Sequence, residues 1–370
     1  MNIGLLTPGF SADSHDYAIP VMENLVRELG RCDNVRVLAL RYPHHRNPYR
    51  LNGASIFPLG AGQIKGWRRL ALWRDALWTL RRLHNALPFD VLHALWADET
   101  GLVAAWAGRI LGIPVVVNIS GGELVYLRNI GYGLQRGVFS RWIVWQALKG
   151  ASRVITGCRY TRNLISQADY SVPPGRLHSI TMGIDPDVFF FQDRPRKPRH
   201  LVHAASMIPV KDQATLLRAV SRLGDVTLDM IGDGPERASL EILAGKLQIA
   251  DRVRFLGRIH HRQLPDYYRQ AELHVLSSQH EALGMVTLEA AACGVPTVST
   301  EVGLLPDCPE IGITVPTNDD VALAAAIDEL LVNHQKRNDL EQSAQEMVRS
   351  QFTIQHTAVR LRELYQQLQS

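Results

Sequence analysis

Short apolar runs alternate with amphipathic stretches along most of the chain, and they do so in two separate series. NIGLLT (2–7), VRVLAL (35–40), DVLHAL (90–95), PVVVNI (114–119) and SRVIT (152–156) have the length and residue types of buried strands. Tyr17 to Gly30 and Thr100 to Leu111 between them have helical periodicity. A second series runs through HLVHAA, VTLDMIG, RVRFLG, LHVLSS and PTVST. Such alternation predicts the α/β class, with doubly wound parallel sheets. FQDRPRKPRH (191–200) interrupts the pattern with two prolines and dense positive charge, as expected of a linker. The expected organisation is therefore a Rossmann-like domain over 1–190, a linker over 191–199 and a second Rossmann-like domain over 200–352. A terminal helix over 353–370 is expected to pack back on the first domain, and a ligand cleft is expected where the two domains face one another.

A chain of 370 residues with 46% hydrophobic and 21% charged side chains has globular values and room for two cores. No stretch approaches a membrane span, and MNIGLLTPGF lacks a basic leader. Cys32, Cys158, Cys293 and Cys308 have neither paired nor metal-type spacing. A reduced, cytoplasmic protein is the expectation. The net charge of +4 hides an asymmetry: residues 1–190 carry +8 and the remainder −4. No nucleic-acid motif accompanies the basic half, so nucleic acid is not an expected partner.

The stretch HEALGMVTLEAAACGVP (280–296) joins the strand LHVLSS to the strand GVPTVST. A helical glutamate is ordinarily solvated, but Met285, Val286, Leu288, Ala290, Ala291, Ala292 and Cys293 leave Glu289 almost no polar face. Burial without partners is costly. Ligands of α/β units collect at the carboxyl ends of strands, where helix amino termini direct N–H groups at anions. Gly284 lies where this helix should begin and allows close backbone approach. Glu281 is then expected in the loop over the ligand and Glu289 on the helix. Adjacent sugar hydroxyls make a matching donor pair for a carboxylate.

Glu281-Ala-Leu-Gly284 through Glu289, the exit Cys293-Gly294-Val295-Pro296, VKDQATLLRA around Lys211, IGDGPE (231–236) and VRFLGRI (253–259) occur in an order and spacing that resemble the family 4 retaining glycosyltransferases. SITMGIDPDVF (179–189) resembles that family's turn into the donor domain. The resemblance implies the GT-B fold, with the acceptor on the first domain and a nucleoside diphosphate sugar, a UDP or GDP sugar, on the second. It implies that Glu289 holds the donor ribose and that Glu281 meets the transferred sugar. Lys211 would neutralise the diphosphate. Leu283, Gly284, Met285 and Val286 would offer backbone N–H groups to the phosphates and a wall for the nucleoside. It further implies front-face attack with the departing phosphate as base, so that no protein nucleophile is expected; the sequence shows no carboxylate pair of the kind that flanks a metal in metal-dependent sugar transferases, so no metal is expected either. Gly232 and Gly234 read as turn glycines beside the site.

Two departures stand out. The family's Gly-Arg-Leu triplet before the lysine is here Ala205-Ser206-Met207, so Ser206 replaces the diphosphate arginine. The family's histidine after the strand like PVVVNI is here Ser120, in NISGGEL. His93 and Trp96, in DVLHALWADE, stand at the end of the preceding strand and are the expected substitutes at the cleft, although a histidine so placed is more often structural. The loop TPGFSADSHD lacks the family's glycine pair, leaving Gly9 as the residue for close approach to the donor phosphates.

Gly62 to His84 holds six Lys+Arg and one acid, Asp75. At helical spacing Leu70, Leu72, Trp73, Ala76, Leu77, Leu80 and Leu83 form an apolar face interrupted only by Arg69, which packing on the first sheet explains. Trp67 and Trp78 fall on the opposite face among Arg68, Arg74, Arg81 and Arg82. That face suits an anionic membrane surface and a lipid or lipid-linked glycan acceptor, met peripherally on the inner leaflet. Lining an acceptor groove, or packing under a loop, fits the same residues. Two other functions share the features of the second domain: a sugar-nucleotide or glycan-binding scaffold without turnover, and a sugar-nucleotide epimerase.

Overall fold

The computed structural model describes residues 1–16, 18–64, 66–168 and 170–369. Tyr17, expected to open the first helix, and Lys65, in the basic segment, lie outside the described residues, as do Asp169 and Ser370. The chain divides into two compact units, Met1–Met182 with Ile354–Ser370, and Gly183–Thr353.

In the N-terminal unit the order is β1 (Asn2–Gly9), α1 (Pro20–Leu29), β2 (Asn34–Tyr42), β3 (Tyr49–Leu51), β4 (Ala54–Pro58), α2 (Arg68–Ala86), β5 (Val91–Ala94), α3 (Glu99–Leu111), β6 (Val115–Ile119), α4 (Val138–Gly150), β7 (Arg153–Thr156), α5 (Arg159–Gln167) and β8 (Leu177–Ser179). The sheet order is β3-β4-β2-β1-β5-β6-β7-β8, parallel except where β3 pairs antiparallel with β4. Central strands read as continuous apolar runs because helices cover both faces. Leu6 of β1 joins Leu72 and Trp73 of α2 and Val144 of α4 on one side. Ile3 and Leu5 join Leu25 and Leu29 of α1 on the other, where the C-terminal helix α12 (Ile354–Gln366) adds Leu361 and Tyr365. The hairpin β3–β4, which the pattern of long apolar runs does not reveal, turns at Asn52-Gly53, both with positive φ.

The C-terminal unit contains β9 (His200–Ala204), α6 (Gln213–Ser221), β10 (Thr227–Ile231), α7 (Arg237–Lys246), β11 (Val253–Gly257), α8 (Leu264–Tyr268), β12 (Leu273–Leu276), α9 (Met285–Ala292), β13 (Thr297–Thr300), β14 (Gly312–Val315), α10 (Asp320–Val332) and α11 (His334–Gln351). Its sheet is wholly parallel, in the order β11-β10-β9-β12-β13-β14.

The expected linker over 191–199 is not free chain. The Lys197 N–H donates to the Gln270 carbonyl at 2.9 Å, Arg196 donates to the Gly294 carbonyl at 2.6 Å and pairs with Glu341, and Arg199 pairs with Asp328 at 3.0 Å. Its positive charges tie it to the C-terminal unit, so the boundary moves back to Met182 and Gly183. Proline and charge density mark an irregular segment, not necessarily an unattached one. At Gly183 a Cβ would run into the Thr353 carbonyl, so the lack of a side chain lets these two ends of the C-terminal unit lie against one another.

Candidate active site

A parallel sheet built outward in both directions leaves a crevice at the carboxyl ends of the two strands flanking the reversal. In the C-terminal unit those strands are β9 and β12. The loops that follow them are stitched together: Ser277 Oγ donates to the Lys211 carbonyl at 3.0 Å, and the Gln279 N–H donates to the Val210 carbonyl at 2.8 Å. Lys211 ends a short turn, Pro209–Lys211, and Asp212 then caps α6, its carboxylate accepting from the Thr215 hydroxyl at 2.8 Å.

This stitching delivers Lys211 Nζ to within 2.5 Å of Glu281 Oε1, and Ser278 Oγ donates to the same oxygen at 2.7 Å. Burial alone would raise the Glu281 pKa. The charge and hydrogen bond of Lys211, aided by Ser278, outweigh it and hold the carboxyl below its ordinary range. Glu281 is therefore a buried carboxylate with a cation at hand.

Three residues on, Gly284 adopts φ +81° and opens α9. That conformation favours glycine, and it turns the chain so that the helix begins under Glu281. Among the described residues no side chain caps α9, leaving the Met285 and Val286 N–H groups as its leading donors. Leu283 stands half-buried before them. Glu289 lies one turn beyond Met285 on the same face. His261 Nε2 lies 2.9 Å from its Oε1, and the Tyr268 hydroxyl donates to its Oε2 at 3.2 Å. Burial first, then the neighbouring Glu289, raises the Tyr268 pKa well above its ordinary value, so the phenol stays a donor. A carboxylate has about four lone-pair positions, so Glu289 keeps acceptor capacity beyond these two contacts.

The loop after β9 exposes Ser206. Its carbonyl accepts from Gln213 Nε2 at 3.0 Å, and the loop is braced by the glycine turn after β10, where the Met207 N–H donates to the Asp233 carbonyl at 3.0 Å. Gly232 and Gly234 thus serve the packing of the loop that carries Ser206.

The family model of the glycosyl transferases group 1 matches residues 185–347, and that of the glycosyl transferase 4-like domain matches residues 18–183. The chain belongs to the group 1 glycosyltransferases. The glycosyltransferase is 25% identical over 301 residues to the N-acetyl-alpha-D-glucosaminyl L-malate synthase of Bacillus anthracis, covering 75% of this chain and 74% of that one. It is 35% identical over 181 residues to the D-inositol 3-phosphate glycosyltransferase of Mycobacteroides abscessus, covering 44% of this chain and 41% of the other. Among solved structures it is similar to the sucrose-phosphate synthase of Thermosynechococcus elongatus, with TM-score 0.83, 21% identity and coverage of 100% and 99% of the two chains. It is also similar to Anabaena HepE in complex with UDP-glucose, with TM-score 0.77, 18% identity and coverage of 99% and 100%. Both structural likenesses identify the GT-B fold.

In the N-terminal unit of the glycosyltransferase, Gly9 closes β1 and packs against Tyr42, whose Cβ would lie 3.3 Å from a Cβ at that position. His93, expected at an open strand end, is instead fully enclosed. Its Nδ1 lies 2.6 Å from the Tyr365 hydroxyl and its Nε2 lies 2.8 Å from Asn118 Oδ1. Burial lowers its pKa to about 4, against a smaller opposing effect of Asn118, so the ring is neutral. With both nitrogens engaged and no exposed surface, His93 braces β5 against α12; it is a structural residue and not the cleft residue expected from its place at a strand end. Glu123, in NISGGEL, belongs to no motif in the sequence, yet its buried carboxylate accepts from the N–H groups of Gly121 at 2.6 Å, Ser120 at 3.1 Å and Ala97 at 3.3 Å. Burial, only partly offset by those hydrogen bonds, lifts its pKa to about 7. It clasps the loops after β5 and β6. Tyr268 and His261 likewise belong to no motif; the second of the paired histidines after VRFLGRI is the available signal.

Proposed function

We propose that this glycosyltransferase moves a sugar from a nucleoside diphosphate sugar to an acceptor hydroxyl, with retention of anomeric configuration and without a metal. The observation that carries the reading is the pairing of Lys211 with Glu281 beside the uncapped start of α9, with Glu289 one turn along that helix. Uncapped N–H groups and an ammonium suit a diphosphate, and two carboxylates suit the hydroxyls on either side of it. In the proposed step the bond from the anomeric carbon to the diphosphate oxygen breaks, and the bond to the acceptor oxygen forms on the same face. The acceptor proton passes to the departing diphosphate. Lys211 stabilises the charge that gathers on that leaving group, which is worth most where water is excluded.

UDP and GDP sugars are the assigned donors, and the UDP complexes of Anabaena HepE make UDP sugars the first to test. The assigned acceptor is a glycan or lipid-linked glycan, reached from the cytoplasm at the inner membrane face. The basic surplus of the first 190 residues and the exposed Trp67 and Trp78 support that assignment. Ser206 in place of a cation favours a second reading, a sugar-nucleotide-binding scaffold without turnover. An epimerase of the same fold would convert donor with no acceptor present.

A thermal-shift panel of UDP, GDP and ADP sugars tests the donor assignment, since a ligand that binds only the folded state raises the midpoint with its affinity. A rise with one nucleotide class is expected. No rise with any class overturns the proposal. Slow release of free sugar from the stabilising donor then separates a transferase from a scaffold, and a new sugar nucleotide in its place identifies an epimerase.

A further inference from the structure

Six of the chain's seven tryptophans lie on or at the start of α2, α3 and α4, which pack side by side in the N-terminal unit. An inner set of rings holds the layer together. Trp73 meets Trp106 edge-on at 5.7 Å and stacks on Phe139 at 6.2 Å, and Phe139 stacks on Trp142 at 5.9 Å. An outer set faces solvent: Trp67 is 78% exposed, Trp78 62% and Ile110 63%, Trp145 is exposed as well, and Phe139 and Trp142 belong to both sets, stacked and yet exposed. Single exposed apolar side chains need no explanation, but a set continuous across three helices does. Leu70, expected on the buried face of α2, belongs to this surface, while Arg69 turns inward to Glu99 at 3.3 Å.

The surface also carries charge of one sign. The three helices contain eight Lys+Arg and two acids. Both acids are occupied: Glu99 is buried against Arg41 and Arg69, and Asp75 is shared by Arg46 and Arg74. Arg82 lies 5.1 Å over the Trp78 ring and Lys149 lies 4.5 Å over that of Trp145, so cation and aromatic are presented together. Between α2 and α3 runs a groove of about 410 Å³, walled by Trp73, Leu77, Trp106 and Ile110 and bordered by Arg74 and Arg81.

We infer that the α2–α3–α4 face docks on an anionic phospholipid bilayer, with the outer tryptophans at headgroup depth. The groove receives part of an acyl chain, and Arg74 and Arg81 take its phosphate. An indole has an apolar body and a polar edge and suits the boundary between headgroups and chains, while arginines are drawn to an anionic leaflet. Among the described residues no helix is long and apolar enough to cross a membrane, so the contact is peripheral. The inference deepens the acceptor assignment and rests on it only for its biological purpose. Vesicle binding requires no donor and the donor-induced thermal shift requires no lipid, so either can fail alone.

The test is flotation of the full chain with vesicles of phosphatidylcholine alone, and of phosphatidylcholine and phosphatidylglycerol in equal parts, at low and high salt. Binding to the mixed vesicles only, lost in high salt, is expected. Trp67→Ala with Trp78→Ala should abolish most of it. Arg74→Ser with Arg81→Ser should weaken it by about fivefold for each arginine removed, and this second variant keeps the inference testable if the first fails to fold. Wild type that stays unbound, or binds both vesicle types equally, overturns the inference. So does undiminished binding by either variant while it keeps the wild-type melting midpoint. Self-association in sedimentation that Trp78→Ala removes would mean that a second copy covers this face instead.

Discussion

Lys211 Nζ lies 2.5 Å from Glu281 Oε1, joining two loops whose residues are 70 apart in sequence. The folded pKa of Glu281 is depressed, chiefly because Lys211 overrides the effect of burial. The pair therefore contributes stability that is fully present above the ordinary carboxylate pKa and is lost as pH falls through the lowered folded value. Lys211→Met should destabilise the protein near neutral pH by roughly 3 kcal/mol, the low end for breaking a buried pair. The deficit should shrink in acid. Urea titration of both proteins near neutrality and in acid measures it, and a deficit independent of pH contradicts the account.

Glu289→Ala should weaken both the bare nucleotide and the nucleotide sugar, by roughly 1.5–3 kcal/mol for a lost set of charged hydrogen bonds. Glu281→Ala should spare the bare nucleotide and depress transfer. Calorimetric titration with UDP or GDP distinguishes them, and equal losses of nucleotide affinity would refute the division of roles. Tyr268→Phe, which removes one of the two side-chain contacts of the Glu289 carboxylate among the described residues, should cost about 1 kcal/mol of nucleotide affinity through a less firmly held carboxylate.

Ser206→Arg should tighten nucleoside diphosphate binding. The position is exposed on the loop that leads to Lys211, and a cation there would meet two phosphates in a partly dry site. Unchanged affinity in a folded variant, measured by the same titration, would mean that position 206 does not face the phosphates.

His93→Gln should lower stability by about 1–3 kcal/mol by disturbing Tyr365 and Asn118. The native ring has its pKa lowered to about 4, whereas the unfolded ring titrates near 6.5. As pH falls from about 6.5 to about 4 the unfolded chain binds a proton that the native chain refuses, so this contribution to stability drops. The gap between wild type and variant should therefore narrow over that window. Amide exchange should show α12 opening more readily in the variant, and an α12 protected as in wild type would show that His93 does not brace it.

Much of the fold was legible because burial leaves a local trace. Strands covered on both faces read as apolar runs, and ten of them were placed within a residue or two of β1, β2, β5, β6, β7 and β9 to β13. The edge strands β3, β8 and β14, and β4 beside β3, were missed because short, half-covered strands carry little apolar signal, although Asn52-Gly53 was a usable turn marker. The linker was misplaced because its arginines look solvated in sequence, whereas in the fold they meet Glu341, Asp328 and Asp225 from distant segments.

Sequence by itself determined the α/β class through its alternating pattern and the family through the resemblance of its motifs, and that resemblance singled out Lys211, Glu281, Gly284 and Glu289 for the proposed site. Only the tertiary structure decided what those residues touch. The pairing of Lys211 with Glu281, the hold of Tyr268 and His261 on Glu289 and the enclosure of His93 by Asn118 and Tyr365 all join elements far apart in the chain. A hydrogen bond or an ion pair depends on a few ångströms of separation between atoms, and sheet order and helix packing set that separation; residue identity alone does not.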